Sequence, residues 1–92
     1  MKLFNWDLEK NKWLKENRGI CFEDVVFCIE NEFVFDRAEH PNQKRYKGQK
    51  IITIEFKGYA YLVPYSESED EIFLKTIIPS RKATRDFIKK KE

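Results

Sequence analysis

KIITIEFKGYAYLVPY, residues 50–65, consists of two short apolar runs rich in β-branched and aromatic residues, one on each side of Lys57-Gly58. Such runs favour the pleated, half-buried surface of a strand. The Lys-Gly pair supplies the tight turn, since glycine accepts a positive φ without steric cost. The segment is therefore predicted to be a hairpin. Pro64 has no N–H for a ladder, which points to an edge position or a bulge near the end of its strand. Downstream, the acidic stretch SESEDE (66–71) turns into IFLKTII (72–78), read as a third strand, and a final helix is expected from Ser80.

Before the hairpin the period is helical. Phe4 to Trp6 reads as a short strand. Asp7 is an N-cap for a helix ending near Asn17, with Gly19 as its C-terminal stop. Phe22, Val25, Val26, Ile29 and Phe33 recur at helical spacing and predict a second helix with one buried face. Its cap is expected to be weak, because Cys21 stands where Ser or Thr would accept the Asp24 N–H. The period changes to two after Asp36. The predicted fold is α+β: one small domain with an N-terminal strand, two helices, a mostly antiparallel sheet and a C-terminal helix.

Ninety-two residues suit one domain. A chain of this size buries roughly 60 to 65 % of the surface it exposes when unfolded, which leaves no room for a deep catalytic cleft. Fourteen aromatic residues are enough for a compact core. MKLFNWDLEK lacks the apolar region of a signal peptide, and no later run approaches the ~18 residues of a membrane span, so the cytoplasm is the expected compartment. Cys21 and Cys28 lie seven apart in a helix, roughly 10 Å between backbones and too far for a bridge. With one histidine in the chain, neither a zinc site nor any other metal or cofactor is expected. Cys28 is assigned to the core.

Charge is segregated. Residues 20–36 carry five acids and no base, residues 37–50 five bases against Glu39, and residues 79–92 six bases against two acids. Either the patches cancel across a solvated surface, or a basic face for nucleic acid is kept apart from an acidic one. The segment IIPSRKATRDF (77–87) sharpens the question. A helix N-terminus favours acidic side chains, yet Arg81, Lys82 and Arg85 follow the cap Ser80. An anion docking there would account for them; ion pairs to the acidic second helix are the alternative.

Three motifs carry a resemblance. Trp6, Asp7, Lys10 and Asn11 match a Trp-Asp-x-x-Lys-Asn opening. GICFEDV (19–25) matches in part a Gly-hydrophobic-Ser-Phe-Glu-Glu segment. IIPSRKAT (77–84) keeps Arg81, Lys82, Ala83 and Thr84 of a closing Ile-Ser-Ala-Arg-Lys-Ala-Thr. In that order they resemble BrnT-family toxins across nearly the whole chain. The chain departs from the family at Asn17-Arg18, where Lys-His is frequent, at Cys21, which replaces the capping Ser, and at Pro79-Ser80.

The resemblance implies a RelE-like fold, an antitoxin partner encoded nearby, and RNA cleavage that inhibits translation. An RNA cut by its own 2′-hydroxyl needs a base, an acid and cations around the phosphorane. Arg81 suits the phosphorane oxygens, with Lys82 and Arg85 assisting. Arg18 and Lys15 are further candidates, or simply cations at a helix C-terminus. His40 is the one side chain of the type that changes charge nearest neutrality. It opens a loop in which Lys44, Arg45 and Lys47 are interleaved with Tyr46, a combination that neutralises phosphates and stacks on an unpaired base. The antitoxin is expected to cover the basic face with an acidic or disordered segment. Glu16, Glu55, His40 and Tyr65 are all open as general base or acid. A binding module that holds RNA or a partner without cleaving is the alternative to the enzyme.

Overall fold

The structure, a computed structural model, describes residues 2–88. The elements in order are β1 (Leu3–Trp6), α1 (Leu8–Arg18), α2 (Phe22–Glu30), β2 (Val34–Glu39), β3 (Gln49–Phe56), β4 (Tyr59–Glu67), β5 (Glu71–Leu74), β6 (Ile78–Pro79) and α3 (Arg81–Ala83), which continues as a π-helical turn over Thr84–Ile88. The fold is α+β, as expected. Lys89, Lys90 and Lys91 of the basic C-terminal run lie outside the described residues. No described helix is long and apolar enough to cross a membrane.

The sheet runs β1-β5-β4-β3-β2, antiparallel except for the parallel pair β1/β5, and β6 pairs with β4 beyond the end of β5. Lys57 (φ 52) and Gly58 (φ 78) form the hairpin turn with both φ values positive, the primed geometry that matches strand twist. Period-two alternation sends Ile52, Ile54, Val63, Tyr65 and Leu74 towards Leu14, Phe22, Val25 and Cys28 of the helices, with Ile20 and Ile77 completing the core. The opposite face carries the C-terminal segment along β4. The Ser80 N–H donates to the Ala60 carbonyl at 3.0 Å, the Ala60 N–H donates to Thr84 Oγ1 at 2.9 Å, and Phe87 stacks on Phe35 at 5.2 Å.

Four expectations are corrected. IFLKTII is not one strand: β5 ends at Leu74 and β6 resumes at Ile78. Pro64 is accordingly neither at an edge nor at a bulge, but inside β4, opposite Ile51 of β3. Its carbonyl accepts the Lys75 N–H at 2.8 Å. A strand residue directs its N–H and carbonyl to the same side, so the missing donor of Pro64 faces the interruption at 75–77, where no ladder bond is lost. Finally, the start of α2 is well satisfied. The Cys21 N–H donates to Asp24 at 3.0 Å, and Asn11 of α1 accepts the Phe22 N–H at 2.6 Å. The helix also ends at Glu30, which leaves Phe33 past it and exposed.

Candidate nucleic-acid interface

The interruption between β5 and β6 creates a surface concavity of about 350 Å³ lined by His40, Tyr46, Gln49, Pro64, Lys75, Thr76 and Ile78. Pro64 faces away from the helices by alternation, so the concavity opens on the side of the sheet that carries the C-terminal segment. Among the described residues its lining holds an imidazole, a phenol and an ammonium group, and no carboxylate.

The loop between β2 and β3 is built by its own polar groups. The Gln43 amide nitrogen donates to the carbonyls of His40 and Gln49 at 2.7 and 3.0 Å, and its oxygen accepts the Gly48 N–H at 3.1 Å. Asn42 accepts the Arg45 N–H at 3.2 Å. These bonds bring the rings of His40 and Tyr46 to 4.4 Å, and Arg45 lies over Tyr46 at 5.4 Å. Lys44 and Lys47 are exposed around them. The ammonium group of exposed Lys75 lies over the Phe73 ring at 4.9 Å, a cation–π contact.

One bond sets what His40 can do. Its Nδ1 lies 3.0 Å from the Asn42 N–H, which can only donate. Nδ1 therefore keeps its lone pair, and neutral His40 presents Nε2–H outwards as a donor.

The remaining candidates occupy other places. Arg18 donates to the Ile77 carbonyl at 2.6 Å and lies 5.3 Å from the Trp13 ring. This holds it beside the segment that lines the concavity. Lys15 acts on Glu23 of α2, where its charge adds to the Asn11 hydrogen bond that chiefly lowers the Glu23 carboxyl below the usual range. Arg81 and Lys82 are exposed, and among the described residues neither pairs with a carboxylate; Arg85 pairs with its neighbour Asp86 at 3.5 Å. No described ion pair joins these residues to α2, whose first-turn acids are engaged by Asn11 and Cys21. The charge conflict at Ser80 is small in any case. Ser80 Oγ accepts the Ala83 N–H at 3.0 Å, and a single α-helical turn before the π turn accumulates little dipole.

His40 and Arg81 lie at opposite ends of β4. The His40 N–H reaches Gln49, which is opposite Ser66, whereas Ser80 is bonded to Ala60. Six strand residues separate those positions, on the order of 20 Å. Of the four residues open as base or acid, only His40 lies in the concavity. Tyr65 is buried in the core and borders another hollow of about 330 Å³ with Arg37, Glu39, Lys50 and Glu67. In that hollow, Lys2 and Lys50 hold the Glu67 carboxyl below its ordinary range, so the charge is already matched. Glu55 lies at the hairpin end of β3, and Glu16 is exposed on α1. Lys75 and Thr76 were not anticipated, because a continuous strand over 72–78 would have given them no special position. Among the described residues, no cluster of three His, Cys, Asp or Glu is arranged to hold a metal ion.

No protein-family model, no curated protein and no solved structure matches this chain.

Proposed function

We propose that this chain is an RNA-directed toxin of the BrnT kind: an endoribonuclease that lays single-stranded RNA in the concavity beside His40 and is restrained by an antitoxin partner covering that basic surface. The observation that carries the reading is the composition of the concavity. His40 and Tyr46, in contact with their rings tilted by 34°, offer aromatic faces for an unpaired base, while Lys75, Arg45, Lys44 and Lys47 supply cations and no acid among the described residues lines it. Aromatic stacking combined with a positive track is the physical basis of single-strand binding.

In the proposed cleavage, the substrate's 2′-oxygen passes its proton to water and attacks the adjacent phosphorus. The bond from phosphorus to the 5′-oxygen breaks and that oxygen takes a proton from water, giving a 2′,3′-cyclic phosphate and a 5′-hydroxyl. His40, with its Nε2–H, donates a hydrogen bond to a non-bridging phosphate oxygen without giving up the proton, and Lys75 stabilises the phosphorane charge. Residues 75–78 lead from the concavity to Ser80, so RNA following this edge extends towards Arg81, which then holds a flanking phosphate.

A second reading is a module that binds RNA or a partner without cutting. The engagement of His40 Nδ1 by Asn42 favours it, because that tautomer lacks a free basic nitrogen. Incubating purified protein with labelled single-stranded RNA separates the two. Cyclic-phosphate ends that disappear in Lys75→Gln and His40→Ala support the enzyme. Retention of intact RNA means a binding module, and no retention of RNA sinks both RNA readings. In cells, growth arrest is expected on expression of the chain and is expected to be relieved in Arg81→Ala.

A further inference from the structure

Away from the basic surface, Phe27 (56 % exposed) and Phe33 (47 % exposed) stand beside each other with ring centroids 6.4 Å apart. With Cys28, Glu55, Phe56 and Lys57 they line a groove of about 290 Å³. Two large aromatic side chains left in water beside a groove are unusual on a small domain, where exposed apolar side chains are ordinarily scattered singly. The groove is flanked by the acid-only stretch 20–36, in which Glu30 and Glu32 are exposed between the two phenylalanines.

Two features restrict the occupant. The backbone at the groove is already paired: the Phe33 N–H donates to Cys28, Asn31 to Phe27, and Glu55 to Phe33. An added strand would find no free ladder groups, so docking here is through side chains, the mode of an amphipathic helix in a groove. In the lining Glu55 and Lys57 offset each other, so the acidic excess comes from exposed Glu30 and Glu32 beside it; that excess disfavours nucleic acid, and a symmetric second copy, which would place one acidic patch against another.

We propose that this groove docks a basic amphipathic helix of a partner protein, with apolar side chains at helical spacing over Phe27 and Phe33 and Lys or Arg facing Glu30 and Glu32. The inference does not depend on the ribonuclease reading, since it concerns a different surface of opposite charge. The concavity and the groove can be occupied together, so a partner held here leaves the basic surface accessible.

The test is an amide-resolved NMR titration of the intact chain with a synthetic peptide of about 18 residues carrying Leu at helical spacing and Lys on its polar face. An otherwise identical peptide with Glu in place of Lys is the control. Expected are shifts at Phe27, Phe33 and residues 55–57, affinity at least about tenfold weaker in Phe27→Ser/Phe33→Ser, and a switch of preference to the Glu peptide in Glu30→Lys/Glu32→Lys. The last variant alters only exposed side chains, so it decides the matter even if the serine variant folds poorly. Equal binding of both peptides, shifts confined to other surfaces, or self-association that Phe27→Ser abolishes would overturn the proposal.

Discussion

Asn11 and Phe22 join the two helices through a single amide: the Asn11 side-chain oxygen accepts the first N–H of α2 at 2.6 Å, while its nitrogen donates to Glu23 at 2.7 Å. A residue of one helix thus supplies the cap of the next. Asn11→Ala is expected to lower stability by about 1–2 kcal/mol, the usual cost of losing a cap, as read from urea denaturation. Because the Asn11 amide is the main cause of the lowered Glu23 carboxyl, its contribution is present above the ordinary carboxylate range and is lost as pH falls through the depressed folded value. The gap between wild type and Asn11→Ala should accordingly narrow in acid. A gap that does not change with pH would show that the Glu23 bond contributes nothing.

Burial, aided by Asp24 and Glu55, pushes the Cys28 thiol from 9.0 up to about 11. The folded protein then keeps a proton that the unfolded chain releases above pH 9, so the stabilising contribution is intact below that pH and is lost as pH rises towards 11. Wild type should lose more stability than Cys28→Ala between about pH 8 and about pH 10. Identical losses in denaturation curves would mean that the thiol ionises freely in the fold. Alkylating reagents should label Cys28 only as fast as the chain opens.

The Asn42 N–H sets the tautomer of His40. Nitrogen NMR at alkaline pH should find Nε2 protonated and Nδ1 bare; the opposite assignment would remove the bond and the donor role with it. His40→Ala is expected to reduce cleavage by roughly 10²-fold, the cost of losing one donor to the developing phosphorane charge, whereas binding should fall only by the loss of one aromatic surface.

Cations around the concavity should govern the salt dependence of RNA binding. On single strands, each lost phosphate contact lowers the slope of log affinity against log salt by about 0.7. Lys44→Gln/Arg45→Gln and Lys75→Gln are each expected to flatten it. An unchanged slope in both would place the RNA elsewhere.

Arg18 and Arg81 should separate stability from activity. Arg18 holds the Ile77 carbonyl, so Arg18→Ala is expected to cost about 1 kcal/mol. Arg81 is exposed and has no described ion pair, so Arg81→Ala should stay within about 0.5 kcal/mol of wild type while relieving growth arrest. Arg81→Ala that melts early would reassign it to the scaffold.

Local patterns were readable before the structure because their causes are local. Asp7, Gly19, Lys57-Gly58 and Ser80 mark caps and turns through their own chemistry, and the β-branched and aromatic runs on either side of Lys57-Gly58 marked the hairpin. Relations between distant segments were not readable. The cap that Asn11 gives α2 crosses between helices, and no rule based on neighbours finds it. The break at 75–77 was hidden by the uniform apolarity of IFLKTII, although Pro64 held a clue: a proline inside an interior strand requires a gap in the strand beside it. For the candidate site, the loop 40–48 was identified from its basic and aromatic residues, whereas Lys75 and Thr76 join it only through that gap. The separation of His40 from Arg81 follows from strand register, which a single sequence does not encode visibly.

The parallel pairing of β1 with β5, in which Leu3 meets Glu71 and Trp6 meets Leu74, bears on the order of assembly during synthesis. β1 stays unpaired until β5 has been made, because α1, α2 and β2 to β4 all lie between them in the chain. Non-local pairings of this kind slow folding and defer completion of the sheet. Lys75, Thr76 and Ile78 follow β5 directly, so the concavity acquires its far wall only after β5 has been made, and a chain released before that point would lack it.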